Sequence, residues 1–167
     1  MSATMVEFTR GDFRTSRYAD ELNGRFQGYL GLPHRYGPAR LALGRSLRNP
    51  ELPSLELGSM GFGKPIKGEQ LFGQGIELAT WITLISEHDA GSGEEMTRKR
   101  MQSLVASHWQ RGMTLLWEDW RASAGDFDAF VGPSVARRFN GSFANSKRFW
   151  ELHFWAPFCQ ASDNGTT

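Results

Sequence analysis

Apolar positions change their spacing several times along the chain, and each change predicts an element. Val6-Glu7-Phe8-Thr9-Arg10 alternates apolar and polar residues until Gly11-Asp12 interrupts it, which predicts a short strand or extended arm. Thr15 or Ser16 is placed to cap a helix starting near Arg17, with Tyr18, Leu22 and Phe26 along its apolar face. Gly28 and Gly31 weaken the end of that helix and Leu32-Pro33 stops it. Gly37-Pro38 opens a second helix whose inner stripe is Ala39, Leu43 and Leu47, with Ala42 beside it, and Asn49-Pro50 ends it. Strand, helix, turn and helix in this order fit the ribbon-helix-helix class, in which two chains pair their strands and lay the ribbon in a DNA major groove. Such a unit cannot bury its core alone, so the reading carries an expectation of a homo-oligomer. An ordinary helical hairpin with an extended N-terminus fits the same periodicity.

Residues 50–75 are rich in Pro and Gly and read as loop. Within them, Lys64-Pro65-Ile66-Lys67-Gly68-Glu69 reads as a surface turn, since no phosphate-binding loop pattern is present. From Gln74 to about His88 a helix is predicted: Ile76, Ala79, Ile82 and Ile85 recur every three residues, and Leu78, Trp81 and Leu84 widen the apolar face. That breadth implies burial on more than one side. Ala90-Gly91-Ser92-Gly93 breaks the pattern. A long helix from about Met96 to Arg121 follows, with Met101, Leu104, Val105, His108, Trp109, Gly112, Leu115 and Leu116 as its inner stripe and Trp117 and Trp120 extending it. Gly112 inside such a stripe costs about 1 kcal/mol relative to Ala, and a close helix crossing is a reason to keep it. The expected fold is therefore mainly α: a ribbon-helix-helix-like N-terminal unit, two further helices and an aromatic-rich C-terminal extension. The expected domains are a helical domain over 1–131 and an extension over 132–167, packed on the domain or on a partner.

Composition narrows the class. Of 167 residues, 40% are hydrophobic and 13% aromatic, enough for a real core. One cysteine, Cys159, excludes an internal disulfide framework and reads as an inert buried thiol. No apolar run approaches the ~20 residues of a membrane span, and the N-terminal residues lack a signal-peptide pattern, so a cytoplasmic location is expected. The net charge is +1, but its placement is uneven: residues 1–48 hold eight Arg against four acids, residues 49–97 two Lys against eight acids, and the remainder nine bases against six acids. This pattern suits either an anionic polymer on one face or simple solvation of helix surfaces. The arginine fork favours phosphate and base-edge contacts. Between Phe127 and Phe158, nine aromatics are interleaved with Arg137, Arg138, Lys147 and Arg148. They read as packing or interface, with base stacking as the alternative.

Candidate chemistry is sparse. Glu87-His88-Asp89 and His108 are the groups from which a nuclease or transferase would have to be built, but adjacent helical positions diverge. His88 suits a helix C-terminus and His108 reads as a hydrogen-bonded core histidine. No nucleophile-elbow, zinc, Walker or dinucleotide pattern occurs, and neither a catalytic residue nor a metal or other cofactor is assigned.

The segment from Leu30 to Leu47, LGLPHRYGPARLALGRSL, followed by Asn49-Pro50-Glu51-Leu52-Pro53, resembles the central signature of the DndE family of bacterial DNA phosphorothioation systems. Gly68-Glu69-Gln70-Leu71-Phe72-Gly73 and His108 to Leu116 are similar to further segments of that family, and the likeness spans about residues 13–131. The resemblance implies a small helical oligomer without a catalytic centre, which binds nicked or intact duplex DNA beside the other subunits of the sulfur modification machinery. Where that family uses surface lysines, this chain carries arginines. The positions expected to meet DNA are Arg10, Arg14, Arg17, Arg40 and Arg45, with Lys64 and Lys67. A protein–protein assembly subunit with little DNA affinity of its own is the alternative.

Overall fold

The computed structural model describes Glu7, residues 10–55 and residues 62–136, with side chains as far as residue 132. The protein is mainly helical, with one small sheet among the described residues. Strand β1 (Asp12–Phe13) pairs antiparallel with β2 (Ile66–Lys67), Asp12 opposite Lys67 and Phe13 opposite Ile66. Alternation along the ribbon buries Phe13 and Ile66 and turns Asp12 and Lys67 outward. The strand partner thus lies in the same chain, within the stretch expected to be loop. The predicted strand over Val6–Arg10 falls mostly outside the described residues.

Helix α1 (Arg17–Tyr29) is capped by Ser16, whose Oγ accepts from Ala19 N at 3.2 Å. Its buried residues are Ala19, Leu22, Asn23 and Phe26, a stripe at spacings of three and four. Tyr18, expected on that face, is 53% exposed, because two successive steps of four, from Tyr18 to Phe26, drift around the helix and small Ala19 takes the inner place. Helix α2 (Tyr36–Leu47) turns Pro38, Ala39, Ala42, Leu43 and Ser46 inward. The short α3 (Gly68–Phe72) contributes Leu71 and Phe72, and the Phe72 ring meets Phe13 edge-on at 5.0 Å. Helix α4 (Ile76–Asp89) buries only Ile82, Ile85 and Asp89, leaving Ile76 85% and Leu84 48% exposed. A 3-10 turn (Ala90–Ser92) follows.

Helix α5 (Arg98–Ala122), capped by Thr97, runs through the core. Met101, Leu104, Val105, His108, Trp109, Gly112 and Leu116 are buried as expected; Ala106, Ser107 and Met113 join them, and Leu115 lies only half-buried. Its main neighbour is α2, with α1 second, so α5 covers the apolar face that the N-terminal unit cannot bury by itself. Buried polar groups tie the same elements together. Asn23 accepts from Trp109 Nε1 at 3.2 Å and donates to the Arg35 carbonyl at 2.9 Å, and Thr15 Oγ1 donates to the Ala106 carbonyl at 3.3 Å.

By its internal contacts the chain divides into two units, Met1–Phe127 and Asp128–Thr167. The described part of the second is helical: it belongs to α6 (Phe127–Ala136). The aromatic and basic positions from Arg137 to Phe158, and Cys159, lie outside the described residues. Among the described residues no helix is long and apolar enough to cross a membrane.

Candidate nucleic-acid interface

Five of the seven expected DNA-contacting residues meet at the two-stranded ribbon. Ladder register sets Lys67 opposite Asp12, and Gly68 N donates to the Gly11 carbonyl at 3.0 Å, beside Arg10. On the other side of the ladder, Gly63 N donates to the Thr15 carbonyl at 2.9 Å and Arg14 Nη1 donates to the Gly63 carbonyl at 3.2 Å. These bonds lay Lys64 along Arg14 and the start of α1, where Arg17 stands. Arg10, Arg14, Arg17, Lys64 and Lys67 are all exposed. Arg17 makes one exposed ion pair, 3.4 Å from Glu21, which is weak in water.

Arg98, missed at the level of sequence, joins this group. Its guanidinium lies against Gly11, at φ 111°, where an added Cβ would collide with it. A signal was present: Arg98, Lys99 and Arg100 open α5 with three cations and no acid at the positive end of a helix dipole, where acids are the usual choice. Arg100 is explained by its two bonds to buried Asp89, at 2.6 and 2.7 Å, whereas Arg98 and Lys99 remain exposed.

Arg40 and Arg45 stand apart from the ribbon cluster. The Arg40 Nε donates to the Leu71 carbonyl at 2.7 Å and its Nη2 to the Gln70 carbonyl at 3.2 Å; the guanidinium lies 5.0 Å from the centre of the Tyr36 ring and 3.7 Å from Glu77. Its side chain is 14% exposed. Arg45 forms a two-pronged pair with Asp119, at 2.7 and 3.3 Å, clasping α2 to α5. Both guanidinium groups, expected at a phosphate backbone, are committed to the protein's own acceptors.

Beside the ribbon, α1 and the segment at Phe62 enclose an open groove of about 720 Å³. Arg17, Arg35 and Lys64 supply its positive charge, and Asp20 and Glu21 nearly balance it. Asp20 is paired with Arg35 and also accepts from Lys64 N at 3.1 Å. Gly24 leaves room in the helix wall, and Phe62, 81% exposed, stands at the rim.

Two of the four histidines, His88 and His108, meet. His108 is fully buried; its Nδ1 lies 3.0 Å from Ser46 Oγ, which also accepts from Arg111 Nε at 2.8 Å. The His88 ring meets it edge-on at 4.9 Å, and His88 Nε2 bonds the Asn49 carbonyl at 2.7 Å. Burial above all, then His88 and Arg111, push the pKa of His108 down from 6.5 to about 3, against a smaller opposing pull from Asp89. The expected core histidine is therefore what is found. Glu87 points to solvent and Asp89 is held by Arg100, so the four residues do not converge, and among the described residues no group of three or more His, Cys, Asp or Glu is placed to hold a metal ion. No protein-family model, curated protein or solved structure matches this chain.

Proposed function

We propose that this chain is a cytoplasmic, non-catalytic DNA-binding accessory subunit of a bacterial phosphorothioate modification system, working beside the other subunits of that machinery. The observation that carries the reading is the exposed cluster of Arg10, Arg14, Arg17, Lys64, Lys67 and Arg98 about one small ribbon. Cations gathered on a rigid element and left in water match the spaced charges of a nucleic-acid backbone. With about five phosphates contacted, the logarithm of duplex affinity falls with that of salt at a slope of about −4.5, so affinity drops roughly 500-fold between 50 and 200 mM salt. Fluorescence anisotropy on nicked and intact duplexes measures this. Arg10→Ala with Lys67→Ala lowers the slope by roughly two units. Flat affinity over this range overturns the proposal.

A second reading, self-assembly, is favoured by α4. Ile76 and Leu84, 85% and 48% exposed, lie with Thr80 one turn apart on one face, flanked by the exposed acids Glu77 and Glu87, and Thr80 Oγ1 donates to the Ile76 carbonyl at 2.8 Å. Light scattering is expected to give a multiple of the 18.8 kDa subunit mass for the natural chain, and the single-subunit mass for Ile76→Asp with Leu84→Asp. A monomeric natural chain overturns it.

A further inference from the structure

Phe62 is the feature that neither the core nor the cationic ribbon explains. A large aromatic ring left 81% exposed sacrifices the free energy of its own burial, and it stands at the rim of a groove whose volume suits a small flat ligand. The groove differs from the ribbon in its charge balance: three cations face two carboxylates there, and Arg35 is already paired with Asp20. Such a lining holds a second phosphate poorly. It suits a neutral ring with donors and acceptors along its edge, for which Arg17 donates and Glu21 accepts in exchange for their exposed 3.4 Å pair, which is weak in water. Arg17 and Lys64 belong both to this lining and to the ribbon cluster, so a strand lying on the ribbon passes the mouth of the groove.

We infer that the groove receives one unstacked nucleobase from a DNA strand held on the ribbon, with Phe62 as the stacking surface. This rests on the DNA-binding reading above and adds what the neighbouring pocket takes. Bases that carry an exocyclic amino group suit the Glu21 carboxylate better than thymine does.

The test uses the full chain and three probes: a duplex with one unpaired 2-aminopurine, the same duplex with that base paired, and free 2-aminopurine deoxynucleotide. The natural protein is expected to bind the unpaired-base duplex about ten-fold tighter than the paired one, with a change in 2-aminopurine fluorescence. Phe62→Ala removes both effects while leaving paired-duplex affinity and its salt slope unchanged; Phe62→Tyr restores them. Gly24→Gln gives an independent check. A Cβ at Gly24 meets nothing within 4 Å and replaces a helical glycine, so that variant folds, but its side chain fills the groove and erases the preference. Equal affinity for the two duplexes, or a preference that survives Phe62→Ala, overturns the inference while leaving backbone binding intact. A Phe62-dependent signal with the free nucleotide and none with the unpaired-base duplex also overturns it, in favour of a mononucleotide pocket. Failure of every duplex to bind in dilute salt removes the DNA reading itself, and this inference with it.

Discussion

Replacing Gly112 with alanine is expected to destabilise the protein by at least about 3 kcal/mol, although alanine is the better helix former by about 1 kcal/mol. A methyl group at that position lands on the carbonyl carbon and oxygen of Ala42 and 2.7 Å from its Cα, where α5 crosses α2. Those atoms are main chain and cannot rotate away, so the helices must separate along their most extensive contact. Removing the Ala42 side chain as well, in Ala42→Gly, gives no rescue for the same reason. Gly44→Ala is the control: it lies on α2, nothing is within 4 Å of its would-be Cβ, and the variant is expected to gain up to about 1 kcal/mol. Thermal melts followed by circular dichroism decide the matter: a fall of roughly 10 °C for Gly112→Ala beside a small rise for Gly44→Ala. A neutral Gly112→Ala shows that the crossing is looser than described.

The second large effect is with pH. His108 is neutral in the folded protein down to about pH 3, whereas in the unfolded chain it takes up a proton near its ordinary value of 6.5. Below pH 6.5 the unfolded state therefore binds a proton that the folded state refuses, and stability falls with falling pH until about pH 3. The contribution is fully present above the unfolded value and shrinks by about 1.4 kcal/mol for each pH unit below it, or roughly 2–3 kcal/mol by pH 4.5. Urea titrations between pH 7 and 4.5 read this directly. His108→Gln, which keeps a neutral polar group and has no proton to gain, is expected to lose stability at pH 7 and to close that gap with the natural chain as pH falls. A natural chain with constant stability from pH 6.5 to 4.5 shows that His108 is protonated inside the fold.

Much of this architecture was legible in the residue pattern. The long α5 stripe, the glycine that permits a close crossing and the buried histidine all announce themselves through spacing, because a 25-residue helix repeats its signal over seven turns. The ribbon and α3 did not: two-residue strands and a five-residue helix are too short to establish a period, and Pro and Gly around them read as loop. The fates of the arginines were hidden for a different reason. Arg40 is bound by main-chain carbonyls of Leu71 and Gln70, which every residue carries, and Arg45 by an aspartate 74 positions away. Phe62 left no pattern either, since one aromatic among glycines looks like a fragment of core until its exposure is seen.

Three polar groups in the first fifty residues, Thr15, Asn23 and Ser46, are fully buried, and each bonds to α5: to the Ala106 carbonyl, the Trp109 indole and the Arg111 guanidinium. During synthesis those three leave the ribosome long before their mates do. The early hairpin by itself consequently lacks these partners, and it is expected to keep the three groups in water until Arg111 has emerged. A chain cut short before Ala106 is accordingly expected to leave all three without their α5 partners and to remain unfolded.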